Sequence, residues 1–302
     1  MAVISKKRIK ESAGDRVFDI VNTFLLILIL IIIIYPLYFV VIASLSDPLE
    51  VLGGKVIFYP QNLNFEAYRM VFRDSSVLTG YGNTLLYTVT GTVISLALTV
   101  LAAYPLSRKD FTGRVFFTVL LTITMFFNGG LIPTYLVVSQ GLHLKDTMWA
   151  VILPGAVSVW NVVIVRTYFQ SSIPEEISEA AVVDGCSDFQ LLFRVILPLS
   201  TPVLAVMVLF YGVAQWNAFF NAMIYLTDKN KYPLQLILRS ILLQNTRTGD
   251  MFGDVEGMVN RQLIAETIKY ALIIVASAPI IAVYPFLQRY FVKGIMVGAI
   301  KG

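Results

Sequence analysis

The chain has 302 residues, of which 57% are apolar and only 14% charged, and its mean hydropathy is +0.75. Soluble domains carry about a quarter charged residues, so the composition excludes an ordinary soluble protein and indicates a polytopic membrane protein. The net charge of +4 comes from basic residues clustered at membrane edges, a topological signal and not a nucleic-acid footprint. The single cysteine, Cys186, excludes an intrachain disulfide, and the single histidine, His143, offers no Cys/His metal set. The apolar runs are about twenty residues long, which suits spanning helices rather than the shorter alternating strands of a barrel.

Residues 1–17 read as a polar tail carrying Lys6, Lys7, Arg8, Lys10 and Arg16. Phe18 to Ala43 is the first span. It is too long for the apolar segment of a cleaved signal, and Pro36 is expected to kink it. Ser44 to Gly82 is an outer loop, within which Phe65 to Phe72 has the spacing of a short amphipathic helix. Asn83 is placed as the N-cap of a second span reaching Leu106. A tight basic turn, Ser107 to Arg114, leads to the third span, Val115 to Val138, which Asn128-Gly129-Gly130 and Pro133 interrupt. Helix breakers inside a span persist where protein or a water-filled cavity meets the freed backbone groups. Asn128 is therefore a candidate for lining a substrate path; a kink packed on a neighbouring helix explains the breakers equally well.

The fourth span is Met148 to Phe169, with Arg166 near its inner end. The fifth is Leu199 to Leu226, and its outer half carries Gln215, Trp216, Asn217 and Asn221. Amides and an aromatic ring suit sugar hydroxyls and ring faces. They suit equally well interhelical hydrogen bonding, with Trp216 in the interfacial belt. Asn217 and Asn221 are four apart and are expected on one face. Thr227 to Glu266 forms a second long outer loop, and Thr267 to Tyr284 is the last span. Six spans put both termini on one side. The inner Lys and Arg crowd short segments, which assigns that side to the cytosol.

Between spans four and five lies Pro174 to Pro198, acidic in a basic protein through Glu175, Glu176, Glu179, Asp184 and Asp188. Ser171 or Ser172 is a candidate cap, with Pro174 near the first turn and acids at the positive end of the dipole. Ala181 and Gly185 are four apart and are expected to make one bare helical face. A short amphipathic helix of this kind reads as a docking element.

Glu179-Ala180-Ala181, then three residues, Gly185, nine residues, Val195, one residue and Leu197-Pro198 resembles the EAA motif of permease subunits of ABC importers; the family has Ile where this chain has Val195. Two further stretches, Asn62 to Tyr68 and Tyr284-Pro285-Phe286-Leu287-Gln288-Arg289-Tyr290 to Gly294, are similar to segments of carbohydrate-importer permeases, particularly the branch serving oligosaccharides or polysaccharide fragments. The resemblance implies an all-α membrane protein with six transmembrane helices and the type I ABC importer permease fold. One domain would cover 18–290, with a coupling helix at about 171–197 and cytosolic tails at 1–17 and 291–302.

It also implies roles. Glu179, Ala180, Ala181, Asp184, Gly185, Leu197 and Pro198 would couple to an ATPase, with Glu179 fixing the helix through ion pairs. Asn245, Arg247, Asp250, Asp254 and Glu256 fall in the loop that reaches into the binding protein's cleft in such permeases. The implied partners are a homologous second permease, an ATPase dimer carrying ATP and Mg, an extracytoplasmic sugar-binding protein, a carbohydrate substrate and membrane lipid. The implied place is the bacterial cytoplasmic membrane. No cofactor, catalytic residue or nucleic-acid contact is expected in this chain. It lacks the GxxxxGK[ST] phosphate loop and so is not expected to be an enzyme. An ion-coupled carrier would place acids inside its spans, and these interiors are mostly uncharged. The alternatives are an ABC permease for a non-sugar solute, and a membrane-anchored signalling subunit sharing the acidic docking loop.

Overall fold

The computed structural model describes residues 12–247, 268–285 and 288, and the regular elements among them are all helical. The chain divides into two compact units, residues 1–71 with 251–274, and residues 72–250 with 275–302.

In the first unit α1 (Ala13–Ser44) opens on a capping box, Ser12 with Asp15, and runs uninterrupted through Pro36. Its Leu, Ile and Phe side chains are mostly exposed, as expected of a helix surrounded by lipid and not by a protein core. The amide that Pro36 forfeits is one hydrogen bond in a long ladder, and the helix is not broken there. Asp47 caps α2 (Pro48–Leu52), with Pro48 in its first turn. The amphipathic helix read from the sequence is α3 (Glu66–Arg73), which buries Ala67 and Val71, four residues apart. Tyr35 and Tyr38 of α1 donate their hydroxyls to the carbonyls of Ile57 and Phe58, tying the segment between α2 and α3 to α1.

The second unit is built around α4 (Ser75–Ser107), about 50 Å long at 1.5 Å per residue. It starts eight residues before the expected cap. Asp74 accepts from the Ser76 amide and supplies the cap, while Asn83 lies inside the helix and turns outward to other partners. After α5 (Arg114–Phe126) the chain bends by 112° into α6 (Leu131–Leu136) and a π turn, Val137–Gly141. The breakers act here: Gly130 sits at φ +86°, a left-handed conformation that glycine adopts freely, and Asn128 Oδ1 accepts from the Gly130 amide. α7 (Met148–Ile152) and the 3-10 turn Leu153–Gly155 meet α8 (Val159–Ser172) at 54°.

Then follow α9 (Glu175–Val183), α10 (Asp188–Leu191), the π turn Leu192–Ile196 and α11 (Leu197–Leu199). α12 (Thr201–Trp216) leaves this stretch at 84°, and α13 (Phe220–Tyr225) follows a break after Trp216. Beyond the 3-10 turn Lys229–Lys231 comes α14 (Leu234–Arg247), where the sequence reading placed only loop. α15 (Ile268–Pro285) runs across the division between the units. Among the described residues three helices are each long and apolar enough to cross a bilayer, and the three bent pairs raise the number of candidate spans to six.

The core of the second unit joins Val100, Ala103 and Tyr104 of α4 to Val162 and Val165 of α8 and Met207 and Tyr211 of α12. Where α4 meets α12 the hydroxyls of Thr99 and Tyr211 lie 2.5 Å apart, so a buried polar pair is satisfied within the apolar seam.

Candidate functional site

The acidic stretch folds differently from the single helix expected over about 171–197. Ser171 and Ser172 end α8, and α9 begins after Pro174 without a side-chain cap. Glu175 and Glu176 in the first turn face the positive end of the dipole. At the other end the Gly185 amide donates to the Val182 carbonyl (3.0 Å) and the Cys186 amide to that of Ala181 (2.9 Å). This is a Schellman motif, with Gly185 at φ +78° as its left-handed residue. Gly185 therefore ends the helix and shares no helical face with Ala181, which corrects the expected bare face. Ala181 points inward and packs with Leu191, Leu192 and Ile196.

What α9 presents outward is Glu179, Ala180, Val182, Val183 and Asp184, with Val183 86% exposed. Among the described residues, its chain neighbours aside, nothing lies within 4 Å of where a Gly185 Cβ would stand. Ser187 and Gln190 form a second capping box and start α10. Leu197 is half-buried and Pro198 exposed. Lys109, in the loop after α4, braces α9 with its Nζ 2.5 Å from Glu175 Oε2, and Gln170 of α8 donates Nε2 to the Ser107 carbonyl at the end of α4 (3.2 Å). Arg108 forks onto Asp110 through two bonds of 3.0 and 2.7 Å, and this hydrogen bonding holds the Asp110 carboxyl below its usual range. The brace involves Glu175; among the described residues no ion pair to Glu179 is formed.

The path candidates part company. Trp216 is 4% exposed, donates Nε1–H to the Ala276 carbonyl (3.0 Å) and meets Tyr81 edge to face. It serves as an interhelical anchor. Asn221 bonds the Val151 carbonyl (3.2 Å) and joins α13 to α7. Gln215 is half-buried and rests on Gly91 of α4. Asn217 is exposed. The helix breaks at Asn217, so it shares no face with Asn221. Its Oδ1 accepts from Gln235 Nε2 at 3.4 Å. Asn128 is exposed within its own turn. Of the loop candidates, Asn245 and Arg247 fall in the last turns of α14, and Asp250, Asp254 and Glu256 lie outside the described residues.

A polar clamp that sequence reasoning missed holds the start of the segment between α13 and α14. Asp146, at φ +60°, accepts through Oδ1 from the amides of Thr227 (2.9 Å) and Asp228 (3.1 Å) and through Oδ2 from Lys231 Nζ (2.9 Å). The Asp228 amide, the Lys231 ammonium and the Thr227 amide together hold the Asp146 carboxyl far below the usual carboxylate range. Asn83 Nδ2 donates to the carbonyls of Asn230 (2.7 Å) and Tyr232 (3.1 Å), and Tyr87 donates to that of Lys231 (2.9 Å). Thr84 Oγ1 accepts the Leu234 amide at 2.8 Å. Partners up to 150 residues apart leave no local signal. Leu234, Leu238 and Ile241 following Pro233 did carry a helical spacing, from which α14 was legible.

In the second unit, bent and broken helices pack on the long α4, and an exposed acidic helix lies on a connecting segment. The sequence matches, over residues 1–297, the family described as binding-protein-dependent transport system inner membrane component, and the chain belongs to that family. It is accordingly a multi-pass inner-membrane permease of an ABC transporter, a class that works with a separate ATPase and a binding protein. Protein LplC of Bacillus subtilis (strain 168) is 40% identical, over 97% of both chains. The polygalacturonan/rhamnogalacturonan transport system permease protein YtcP of the same organism is 39% identical, over 95% of this chain and 99% of its own. A solved bacterial ABC transporter involved in import of the acidic polysaccharide alginate superposes with a TM-score of 0.83 at 34% identity, covering 94% of this chain and 100% of the other.

Proposed function

We propose that this chain is one of two homologous permease subunits of an importer for oligosaccharides, with both termini in the cytosol. The observation that carries the carbohydrate assignment is the near full-length likeness to a polygalacturonan/rhamnogalacturonan permease and to an alginate importer. A binding protein delivers the sugar to the outer loops, where Asn245, Arg247, Asp250, Asp254 and Glu256 are the docking candidates. ATP, with Mg on the ATPase subunits, closes that dimer, and the paired helical bundles rock between outward and inward states.

Force enters through α9 and the Gly185 turn. Glu179, Ala180, Asp184 and Gly185 face outward and contact the ATPase; Ala181, Leu197 and the buried side chains beside them carry the movement into the core containing α4, α8 and α12. The Lys109–Glu175 pair keeps α9 seated between strokes. The exposed Val182 and Val183 on an acidic helix support this reading, since an exposed apolar patch with charged flanks is a docking surface.

The test is ATP hydrolysis by the reconstituted complex with binding protein and a panel of neutral and acidic oligosaccharides. Ala180→Trp adds bulk outward from a helical position, without the backbone strain that any side chain at Gly185 brings. The native complex shows sugar-stimulated hydrolysis, and Ala180→Trp abolishes the stimulation or the retention of the ATPase. Unchanged stimulation in an assembled variant removes α9 from the coupling path. Absence of stimulation by every saccharide removes the carbohydrate assignment.

A further inference from the structure

We propose that Arg239, with Gln235 and Asn217, forms a subsite for the carboxylate of an acidic saccharide. The proposal rests on the oligosaccharide reading and narrows it to uronate-bearing substrates. Gln235 and Arg239 are four apart on α14 and share its face. Phe219 and Met223 are four apart at the start of α13. The two faces meet, with the Arg239 guanidinium 4.8 Å above the centre of the Phe219 ring and its Nη1 3.1 Å from Met223 Sδ. Asn217, at the break between α12 and α13, donates Nδ2 to the Val213 carbonyl (2.9 Å) and accepts from Gln235 Nε2 through Oδ1, which holds Gln235 beside the arginine's helix face.

A guanidinium offers five N–H donors in a planar fork that matches a carboxylate. Among the described residues, Arg239 has no carboxylate within 4.0 Å, and its Nη1 donates to a thioether, a weak acceptor. The ring beneath it fixes the fork without satisfying it. Asn217 is exposed and Gln235 and Arg239 are half-buried, so the polar ends are reachable from outside the chain. An interrupted helix is also where a spanning protein can expose backbone and amide groups to a polar substrate. A carboxylate here gains a charge-assisted fork, and a neutral sugar gains only the amides.

The experiment compares uptake of tetragalacturonate and of its carboxyl-reduced, neutral counterpart by the complex in proteoliposomes at saturating binding protein. Arg239→Gln lowers acidic uptake by about tenfold or more and leaves neutral uptake and basal ATP hydrolysis unchanged; Arg239→Lys is intermediate. Gln235→Glu, which sets a carboxylate beside the arginine with little change of shape, gives the same selective loss. Equal loss of both substrates shows that the arginine serves binding-protein docking or a lipid headgroup, and overturns the proposal. No loss of either does the same. A native complex that imports only the neutral sugar overturns the subsite while leaving the oligosaccharide reading standing. A native complex that imports neither overturns both.

Discussion

Replacing Thr84 by Val isolates one hydrogen bond that holds α14 against α4. Thr84 is 1% exposed and Leu234 is fully buried, and the Leu234 amide, in the first turn of α14, finds its acceptor in Thr84 Oγ1 at 2.8 Å. The first amides of any helix lack intrahelical partners, so Thr84 caps α14 from another helix. Valine keeps the shape and removes the acceptor, and water cannot replace it in a buried seam. An orphaned buried amide costs about 1–3 kcal/mol, which is roughly a 5- to 150-fold change in a local opening equilibrium. Thr84→Ser keeps the hydroxyl and deletes one methyl, at a cost of about 1 kcal/mol. Hydrogen exchange read by mass spectrometry over 234–247 in the assembled complex distinguishes them. The Val variant exchanges faster in the first turn of α14 than the Ser variant, which stays closer to native. Serine equal to or worse than valine would falsify the capping argument and assign the contact to packing.

Asp146→Asn keeps an oxygen for the Thr227 and Asp228 amides and suits the left-handed backbone, but removes the charge facing Lys231. The Asp146 carboxyl is depressed, so its contribution is fully present above the ordinary value of 3.8 and is lost only as pH falls through the lower folded value. Lys231 is raised by the same pair, so its contribution holds below 10.5 and is lost as pH rises through its folded value. The variant melts below the native protein by a margin that is constant between about pH 5 and 9; a margin that varies across that window shows that the clamp is not what was lost. At two glycines of α4 the outcome depends on what a methyl group meets. At Gly80 it meets Ile237 Cδ1 and the Leu234 backbone at 3.2 and 3.3 Å, whereas at Gly91 its nearest neighbours, from 2.8 Å, are atoms of the Gln215 side chain, which can swing away. Gly80→Ala therefore costs about 1–3 kcal/mol, while at Gly91→Ala the helix propensity gain of about 1 kcal/mol offsets the strain. Thermal unfolding of the two variants tests this ordering, and a reversed order contradicts it.

The spans, their number and the family were readable from the chain itself, because apolar runs must be helical in lipid and because the spacing from Glu179 to Pro198 is local. Helix α3 was legible for the same reason: its apolar residues repeat at helical spacing within a single turn or two. The cap at Asn83 was misplaced because an Asn at the edge of an apolar run carries the same local signal whether it caps a helix or reaches the carbonyls of Asn230 and Tyr232. The bare face of Ala181 and Gly185 failed because spacing presumes that the helix continues, and Gly185 ends it. Trp216 suited a substrate path and interhelical hydrogen bonding equally well from its sequence, and its indole bonds the Ala276 carbonyl.

The sequence by itself determined which segments are helical in lipid and which connecting segment is acidic and exposed, since both follow from side-chain solvation along a short stretch of chain. Only the tertiary structure decided that α1 runs on through Pro36 while α12 stops at Trp216, which polar groups are already satisfied, and that Arg239 stands over Phe219. Those features depend on partners distant in sequence, and a hydrogen-bond donor is free or committed only once every neighbouring helix has been packed against it.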